Sequence, residues 1–341
     1  MAHKSIISSS FRAFFISLFA VLGILAGFVV VGLTASILFS TAKDENTFST
    51  KVKILPDADG NRKDLGNSVP VLLQITLDGE IGKDPLTGKK IENMLLDSRE
   101  DEFKNDRVKG ILLIINSPGG GVNASDVIYR HLEDYKKRYQ VPIYAFINGM
   151  AASGGYYVAA AADKIFASDV SLVGSIGVLA WPPFLNVYDA MEKLGINSMT
   201  LSAGKGKDEM NPFRPWKADE QKNYQELLDF FYGRFVEVVT LNRPQVNAKE
   251  LIDNFGAALF PAKRALEYGL VDGSGYQRNE VIRELAKAVN IEKYQVVSFE
   301  AQQWWKKLFK EEARSPLITG KIKHEFSLPF SGEAFSFYSP S

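Results

Sequence analysis

An apolar run and the glycine-rich turn behind it decide the fold of this chain. Residues Val108 to Ile115 are almost continuously apolar, and the sequence then continues Asn116-Ser117-Pro118-Gly119-Gly120-Gly121. A short apolar run of this kind is typical of a β-strand that is buried on both faces of a parallel sheet. The glycines that follow predict a tight turn at the carboxyl end of that strand.

Strand-like and helix-like segments alternate on both sides of this central strand. The patterns predict further strands over Val69–Leu77, Pro142–Ile147, Leu172–Leu179 and Ser198–Ser202, and helices over Met94–Phe103, Ser125–Tyr139, Ala152–Ala162, Val187–Leu194, Ala218–Leu241, Ala248–Asn254 and Ala262–Tyr268. Such alternation predicts an α/β fold with a mostly parallel sheet and right-handed crossovers. Ligands of such sheets bind at the carboxyl ends of the strands.

A second informative segment, Gly149 to Tyr157, places one serine between small residues at the start of a predicted helix. Together with the glycine turn, this arrangement is typical of a nucleophile beside backbone N–H groups. A serine hydroxyl needs a base, which is usually histidine. Here the histidines are poorly placed, because His3 is near the N-terminus, His324 is in the tail and His131 is in mid-helix. The remaining choice is a lysine, as in known Ser-Lys pairs.

A lysine acts as a base only when it is neutral. Lowering a lysine pKa from about 10.4 to about 7 takes roughly 4 to 5 kcal/mol, which requires burial without an acidic partner. Lys164, Lys205 and Lys207 follow Ser153 closely enough to be considered. Lys164 comes directly before a strand and is more simply a charge at the rim of the sheet. Lys205 and Lys207 share a loop of small residues, and composition does not choose between them.

Composition excludes several classes of function. The 341 residues include 40 Lys and Arg, balanced by 40 Asp and Glu, and no basic run is present, so no nucleic-acid partner is expected. Cysteine is absent, which excludes disulfides, a cysteine nucleophile and thiolate metal sites. The three histidines are widely separated along the chain. We therefore expect neither a metal nor a cofactor.

The N-terminal region predicts a membrane anchor. After a flank of residues 1–12, residues 13–40 contain no charge over 28 positions, whereas roughly 20 are needed to cross a bilayer. A cleaved signal peptide is the competing interpretation, because Ser40-Thr41-Ala42 offers a small-x-small pattern, but its apolar region would be about twice the usual length. Residues 41–68 predict a polar linker, residues 69–290 the globular domain, and residues 291–341 a C-terminal tail.

These segments resemble the signal peptide peptidase A (SppA) family, peptidase family S49, whose members are membrane-anchored Ser-Lys proteases with a fold related to caseinolytic protease P and crotonase. The resemblance covers about residues 69 to 275. Six blocks in the family's order carry it: Asn116 to Gly121, Ala152 to Tyr157, Ala162 to Ile165, Gly174 to Val178, Gly204 to Asp208, and Gly269-Leu270-Val271-Asp272.

The resemblance implies a role for individual residues. It implies that Ser153 is the nucleophile and that Lys207, which directly precedes Asp208, is the general base. Gly120 and Gly154 correspond to the backbone donors of the oxyanion hole, where glycine can turn its N–H toward a developing charge. Ser175 corresponds to the serine that orients the lysine amine.

The resemblance also implies an assembly and a substrate class. Longer family members supply the serine and the lysine from two tandem repeats, whereas this chain has one copy, so the short form implies a ring-shaped homo-oligomer. The expected substrates are extended apolar peptides such as signal peptide remnants. The expected location is the cytoplasmic membrane, with a single span and the catalytic domain on the extracytoplasmic side. Short members can thread their C-terminus into the active site, so an autoinhibitory tail is a hypothesis.

Two other functions fit parts of the sequence. An acyl-CoA hydratase or isomerase of the crotonase fold uses a similar oxyanion hole, but it normally needs carboxylates near the site and neither a serine nor a membrane span. A catalytically inactive membrane scaffold is the other alternative, against which the pairing of Ser153 with a candidate lysine argues.

Overall fold

The computed structural model describes residues 50–180 and 182–301, together with Phe19, Gly23, Ile24, Gly27 and Phe28. The strands are β1 Thr50–Leu55, β2 Val71–Asp78, β3 Val108–Ser117, β4 Ile143–Ala152, β5 Lys164–Ala167, β6 Leu172–Gly174, β7 Leu259–Pro261, β8 Gly273–Ser274 and β9 Gln295–Ala301. The helices are α1 Gly88–Asp97, α2 Val122–Tyr139, α3 Gly154–Ala159, α4 Tyr188–Lys193, α5 Lys222–Asn242, α6 Ala248–Glu250, α7 Ala262–Glu267 and α8 Arg278–Ala288, with a 3-10 turn at Asp101–Phe103 and a π-helical turn at Leu251–Phe255.

The strands form one sheet in the order β1-β9-β2-β3-β4-β5-β8, and β6 and β7 branch from β4. Each pairing from β9 to β8 is parallel, as is that of β4 with β6, whereas β6 and β7 are antiparallel. The predicted α/β fold with a mostly parallel sheet is therefore confirmed.

Strand β4 pairs with two different strands along its length. Its first half, from Tyr144 to Ile147, pairs with β5, and its last residues, Met150 to Ala152, pair with β6. The change of partner coincides with a register irregularity against β3 just after Ile115. As a result, the carboxyl ends of β3, β4 and β6 meet in one region of the molecule.

The core explains why the central strands are so apolar. Alternate residues of β3, such as Ile111 and Leu113, point into the larger hydrophobic cluster, which also contains residues of α2 and α3. Leu112 between them points to the opposite face, where it packs with Leu285 of α8. Because helices cover both faces of the sheet, the residues on both faces of the strand are apolar, as expected for a parallel sheet. The buried double-sided strand predicted at Val108–Ile115 is confirmed.

Three predicted elements need correction. The helix predicted over Met94–Phe103 lies earlier, at Gly88–Asp97, because the Thr87 side chain caps its first turn by accepting from the backbone N–H of Lys90. The strand predicted over Leu172–Leu179 stops at Gly174, where a φ of 127° turns the chain. No strand forms over Ser198–Ser202, since these residues are exposed and lack a neighbouring strand.

The sheet also extends beyond the predicted domain limits. Strand β1 lies within the segment predicted as a linker, and β9 lies within the segment predicted as the tail. The two are neighbours in the sheet, which is a pairing between residues about 245 positions apart that local patterns do not reveal. The limits 69 and 290 otherwise stay predictions.

The predicted anchor and most of the predicted tail lie outside the described residues. Of residues 13–40 only five are described, and all five are helical. Within the described part of the chain, no helix combines the length and the apolar character needed to span a bilayer.

The block around Asp272 contacts both a buried arginine and the helix that follows Ser153. Asp272 accepts hydrogen bonds from Arg243 at 2.6 Å and from the N–H of Ile165 at 2.7 Å. The Arg243 side chain is only 2% exposed. Two residues before Asp272, the carbonyl of Leu270 accepts a 2.7 Å hydrogen bond from the hydroxyl of Tyr156 in α3. The block from Gly269 to Asp272 thus supports the helix that begins after Ser153.

We predict that Asp272→Ala lowers the free energy of unfolding by about 3 to 5 kcal/mol, because it leaves the buried Arg243 guanidinium without its partner. Urea denaturation at one fixed protein concentration measures the loss. Glu267→Ala, which removes an exposed carboxylate on α7, is the control and should change stability by less than about 0.5 kcal/mol. Equal effects of the two substitutions would contradict the role given to Asp272.

Candidate active site

Two loops at the carboxyl ends of β3 and β4 come into close contact. A Cβ atom built on Gly119 would lie 2.9 Å from the Ser153 Cβ and 2.9 Å from the backbone nitrogen of Gly154. Both distances are shorter than real Cβ contacts allow, so a side chain at this position does not fit. The glycine turn predicted after the central strand is thus what allows the two chain segments to approach each other.

Ser153 has an unusual backbone conformation. Its φ of 50° and ψ of −123° are rare for a residue with a side chain, and such strain is typical of functional positions. The surrounding structure imposes it, since the Ser153 N–H donates to the carbonyl of Gly174 at 2.9 Å. The carbonyl of Ser153 also accepts from the N–H groups of Tyr156 and Tyr157 at 2.9 and 3.0 Å.

The Ser153 hydroxyl takes no structural hydrogen bond within residues 50–180 and 182–301. A serine directly before a helix usually caps it, but the side chain of Ser153 makes no capping bond to α3. Ser153 is half-buried in the single chain, so its hydroxyl is accessible to solvent. A serine that served only to start a helix would make this capping bond, which Ser153 does not make.

Two backbone N–H groups beside Ser153 are also unused. Among the described residues, neither the N–H of Gly120 nor that of Gly154 has an acceptor. Gly154 is the first residue of α3, where helix geometry provides none. The two lie close together, because a Cβ built on Gly154 would be 3.2 Å from the Gly120 nitrogen. Two adjacent unpaired donors beside an accessible hydroxyl are suited to bind an oxyanion.

Ile81 fixes the orientation of the glycine loop. Its N–H donates to the carbonyl of Gly119 at 2.8 Å, and its carbonyl accepts from the N–H of Gly121 at 3.1 Å. The peptide groups on both sides of Gly120 are thereby engaged, which leaves the Gly120 N–H available. A Cβ at Gly120 would lie 2.0 Å from the Ile81 oxygen, so only glycine is accommodated.

Ser175 lies one residue beyond the carbonyl that holds Ser153. Its own N–H donates to the carbonyl of Ala258 at 2.8 Å, and its φ is 52°. Gly174 pairs with Ala152 at the end of β4, so the branch strand β6 carries Ser175 to the side of the candidate nucleophile. The Ser175 hydroxyl makes no hydrogen bond to any other described residue. Ser153, Gly120, Gly154 and Ser175 are therefore brought together within one chain.

The lysines are arranged differently. Lys164 is the first residue of β5 and pairs with Tyr144 near the amino end of β4, so it lies at the edge of the sheet opposite Ser153. Lys205 and Lys207 are exposed and belong to a loop in which Lys207 N–H donates to Gly204 at 3.3 Å. Within the described part of this single chain, no hydrogen bond or ion pair links Lys207 to Ser153.

Two supporting residues were not identified from the sequence. Ile81 belongs to an irregular segment, so only the contact itself reveals its function. Ser125 was taken as a helix residue, but it is 1% exposed and a Cβ on Gly154 would lie 2.3 Å from its Oγ. Its hydroxyl donates to the Gly121 carbonyl at 3.0 Å, which ties α2 to the glycine loop.

The carboxylates and histidines of the described residues do not form a metal-binding cluster. Within the described residues, no group of three or more histidines, aspartates and glutamates could hold a metal ion.

We predict that Gly120→Ala lowers the reactivity of Ser153 toward a fluorophosphonate probe by about 10²-fold or more, the usual effect of losing one oxyanion donor. The physical cause is the overlap of the new Cβ with Ile81. Gly121→Ala is the matched control, because its Cβ would meet only Ala124 at 3.8 Å and its φ is −62°. Labelling rates of the two folded variants decide the matter, and equal rates would contradict the proposed geometry.

The chain is similar in sequence to known protease families. The profile of Peptidase family S49 matches residues 135–292, and that of Clp protease matches residues 73–169. The first match contains Ser153, Ser175 and Lys207, and the second contains the glycine loop. A solved structure of a ClpP1 mutant from Listeria monocytogenes aligns with 60% of this chain and 92% of its own, at 16% identity and a TM-score of 0.40.

Two curated relatives are named as putative proteases or peptidases. A putative protease of Methanocaldococcus jannaschii is 35% identical over 211 residues, which cover 62% of this chain and 66% of the relative. A putative signal peptide peptidase SppA of Enterococcus faecium is 42% identical over 174 residues, covering 50% of this chain and 49% of the relative. The chain thus spans about half to two thirds of the length of these relatives.

The two profile matches together contain the glycine loop, Ser153 and the lysine loop, in that order along the sequence. The chain belongs to peptidase family S49.

Proposed function

We propose that this chain is a serine endopeptidase with a Ser-Lys dyad that is anchored in the cytoplasmic membrane. The observation that carries the proposal is the accessible hydroxyl of Ser153 beside the unpaired N–H groups of Gly120 and Gly154. Family membership supports the same reaction class.

The proposed reaction assigns a step to each of these groups and to Lys207. Ser153 Oγ attacks the carbonyl carbon of a peptide bond while Lys207 takes the hydroxyl proton. The N–H groups of Gly120 and Gly154 bind the oxygen that becomes negative in the tetrahedral intermediate. Lys207 returns the proton to the departing amine, and the acyl-enzyme remains on Ser153. A water molecule, deprotonated by the same amine, then releases the acid and regenerates the hydroxyl.

Lys207 is proposed to act on the serine of another copy of the chain. It lies on an exposed segment between β6 and α5. This segment also carries large apolar side chains whose exposure to water is unfavourable. Leu179, Met199 and Leu201 are 76%, 85% and 89% exposed in the single chain. Large apolar side chains so exposed commonly mark protein interfaces. A ring of identical subunits would cover them and bring each lysine to a neighbouring Ser153.

Assembly would also supply the environment that a lysine base needs. In the single chain Lys207 is exposed, whereas a neutral amine is favoured by burial away from acids. Ser175, held beside Ser153 by β6, has an unpaired hydroxyl that could accept or donate to the incoming amine. We therefore propose that Ser175 orients Lys207 in the assembled particle.

The proposed substrates are extended, mainly apolar peptides such as signal peptide remnants. The predicted anchor at residues 13–40 supports this class, because a tethered domain meets peptides that leave the bilayer. The related Enterococcus faecium protein is named a putative signal peptide peptidase. The catalytic domain is proposed to face the extracytoplasmic side.

We predict that Ser153→Ala abolishes fluorophosphonate labelling and that Lys207→Ala lowers peptidase activity by about 10² to 10⁴-fold, the usual contribution of a general base. Lys205→Ala is the matched control, since it removes an equally exposed amine two residues away and should keep activity. Labelling gels and hydrolysis of an apolar peptide measure the effects. Labelling that survives both Ser153→Ala and Lys207→Ala would remove the dyad.

A further inference from the structure

One arginine braces the loop that carries Lys207. Arg214 donates from Nε to the Oδ2 of Asp208 and from Nη2 to the Asp208 carbonyl, both at 2.5 Å. Its Nη1 lies 2.8 Å from Oε1 of Glu220, which is 7% exposed. The other oxygen of Glu220 accepts from the N–H of Met210 at 3.2 Å. Arg214 therefore joins the residue after Lys207 to the segment that leads into α5.

The same contacts neutralise the carboxylate next to Lys207. Oδ2 of Asp208 is taken by Arg214, and Oδ1 accepts from Nδ2 of Asn211 at 2.6 Å. The hydrogen bond from Arg214, followed by that from Asn211, holds the pKa of the Asp208 carboxyl below its ordinary value. The negative charge beside Lys207 is thus compensated within its own loop.

An uncompensated carboxylate at this position would oppose the chemistry proposed for Lys207. A nearby acid stabilises the ammonium form of a lysine, and the ammonium form cannot accept the serine proton. Other charged residues near the loop along the described chain include the exposed Lys205, Lys217 and Asp219 and the half-buried Glu209. The Glu209 carboxylate lies over the backbone of Gly206, where a built Cβ would be 2.8 Å from its Oε1.

We propose that Arg214 is a positioning residue that keeps the Asp208 carboxylate away from the Lys207 amine. The amine can then be neutral when it meets Ser153 of another copy. This inference rests on the proposed function of Lys207 as the general base, and it assigns a task to a residue outside the dyad and the oxyanion hole.

The test is the pH dependence of Ser153 labelling in the full-length protein. The second-order rate constant for a fluorophosphonate is measured from acid to alkaline pH for the wild type, Arg214→Gln, Asp208→Asn and the double variant. Arg214→Gln releases the carboxylate, so the midpoint of the acid limb should rise by about half to one pH unit. Asp208→Asn removes one negative charge beside Lys207 and should lower the midpoint.

The double variant separates the electrostatic effect of the Asp208 carboxylate from the loss of the Arg214 hydrogen bonds that hold the loop. Without the carboxylate, Arg214→Gln/Asp208→Asn should return the midpoint to that of the wild type even where the rate stays lower. Arg283→Gln is the matched control, because it breaks the exposed Arg283–Asp59 pair in a different part of the chain and should leave the midpoint unchanged.

Several results would overturn the inference. A lower rate at every pH with an unchanged midpoint in Arg214→Gln would mean that the arginine only stabilises the loop. If that variant does not assemble, Asp208→Asn decides alone, and an unchanged or raised midpoint contradicts the proposal. Wild-type labelling in Lys207→Ala would overturn the dyad and this inference together. Loss of labelling in Lys207→Ala with an unmoved Arg214→Gln midpoint would overturn this inference alone.

Discussion

The close approach of the glycine loop to Ser153 is the constraint on which the rest of the site depends. A Cβ at Gly119 would overlap Ser153 and Gly154, and a Cβ at Gly120 would overlap Ile81. The absence of both side chains lets two unpaired N–H groups converge beside one accessible hydroxyl. Within the described residues of one chain, no histidine or lysine side chain hydrogen-bonds to this hydroxyl.

The sheet and its core hold these loops in place. Helices on both faces bury β2, β3 and β4, and the change of partner along β4 carries Gly174 and Ser175 to Ser153, the candidate nucleophile. The carbonyl of Gly174 accepts from the N–H of the strained Ser153, and the carbonyl of Ser153 accepts from Tyr156 and Tyr157. The Tyr156 hydroxyl of α3 donates to the carbonyl of Leu270, two residues before the Asp272 that pairs with Arg243. The strain at Ser153 is thus maintained by a well-packed scaffold, as strained functional residues require.

Sequence patterns predicted the parts of the fold that repeat with a regular period. The double-sided strand at Val108–Ile115 and the alternation around it followed from burial, and the sites at the strand ends followed from parallel topology. The β1–β9 pairing and the contacts of Ile81 escaped prediction because they join residues without a local pattern. The strand predicted over Ser198–Ser202 was wrong, since its apolar residues lie exposed rather than in the sheet. Arg214 escaped because an irregular loop has no periodic signature.

Activity from mixed particles tests the central claim that serine and lysine come from different copies. Ser153→Ala and Lys207→Ala chains are inactive separately on this account, but co-expression forms rings in which some interfaces join an intact serine to an intact lysine. Random assembly of equal amounts predicts about a quarter of the wild-type activity. Mixed rings as inactive as either parent would contradict the account, because every site would then need both residues from one chain.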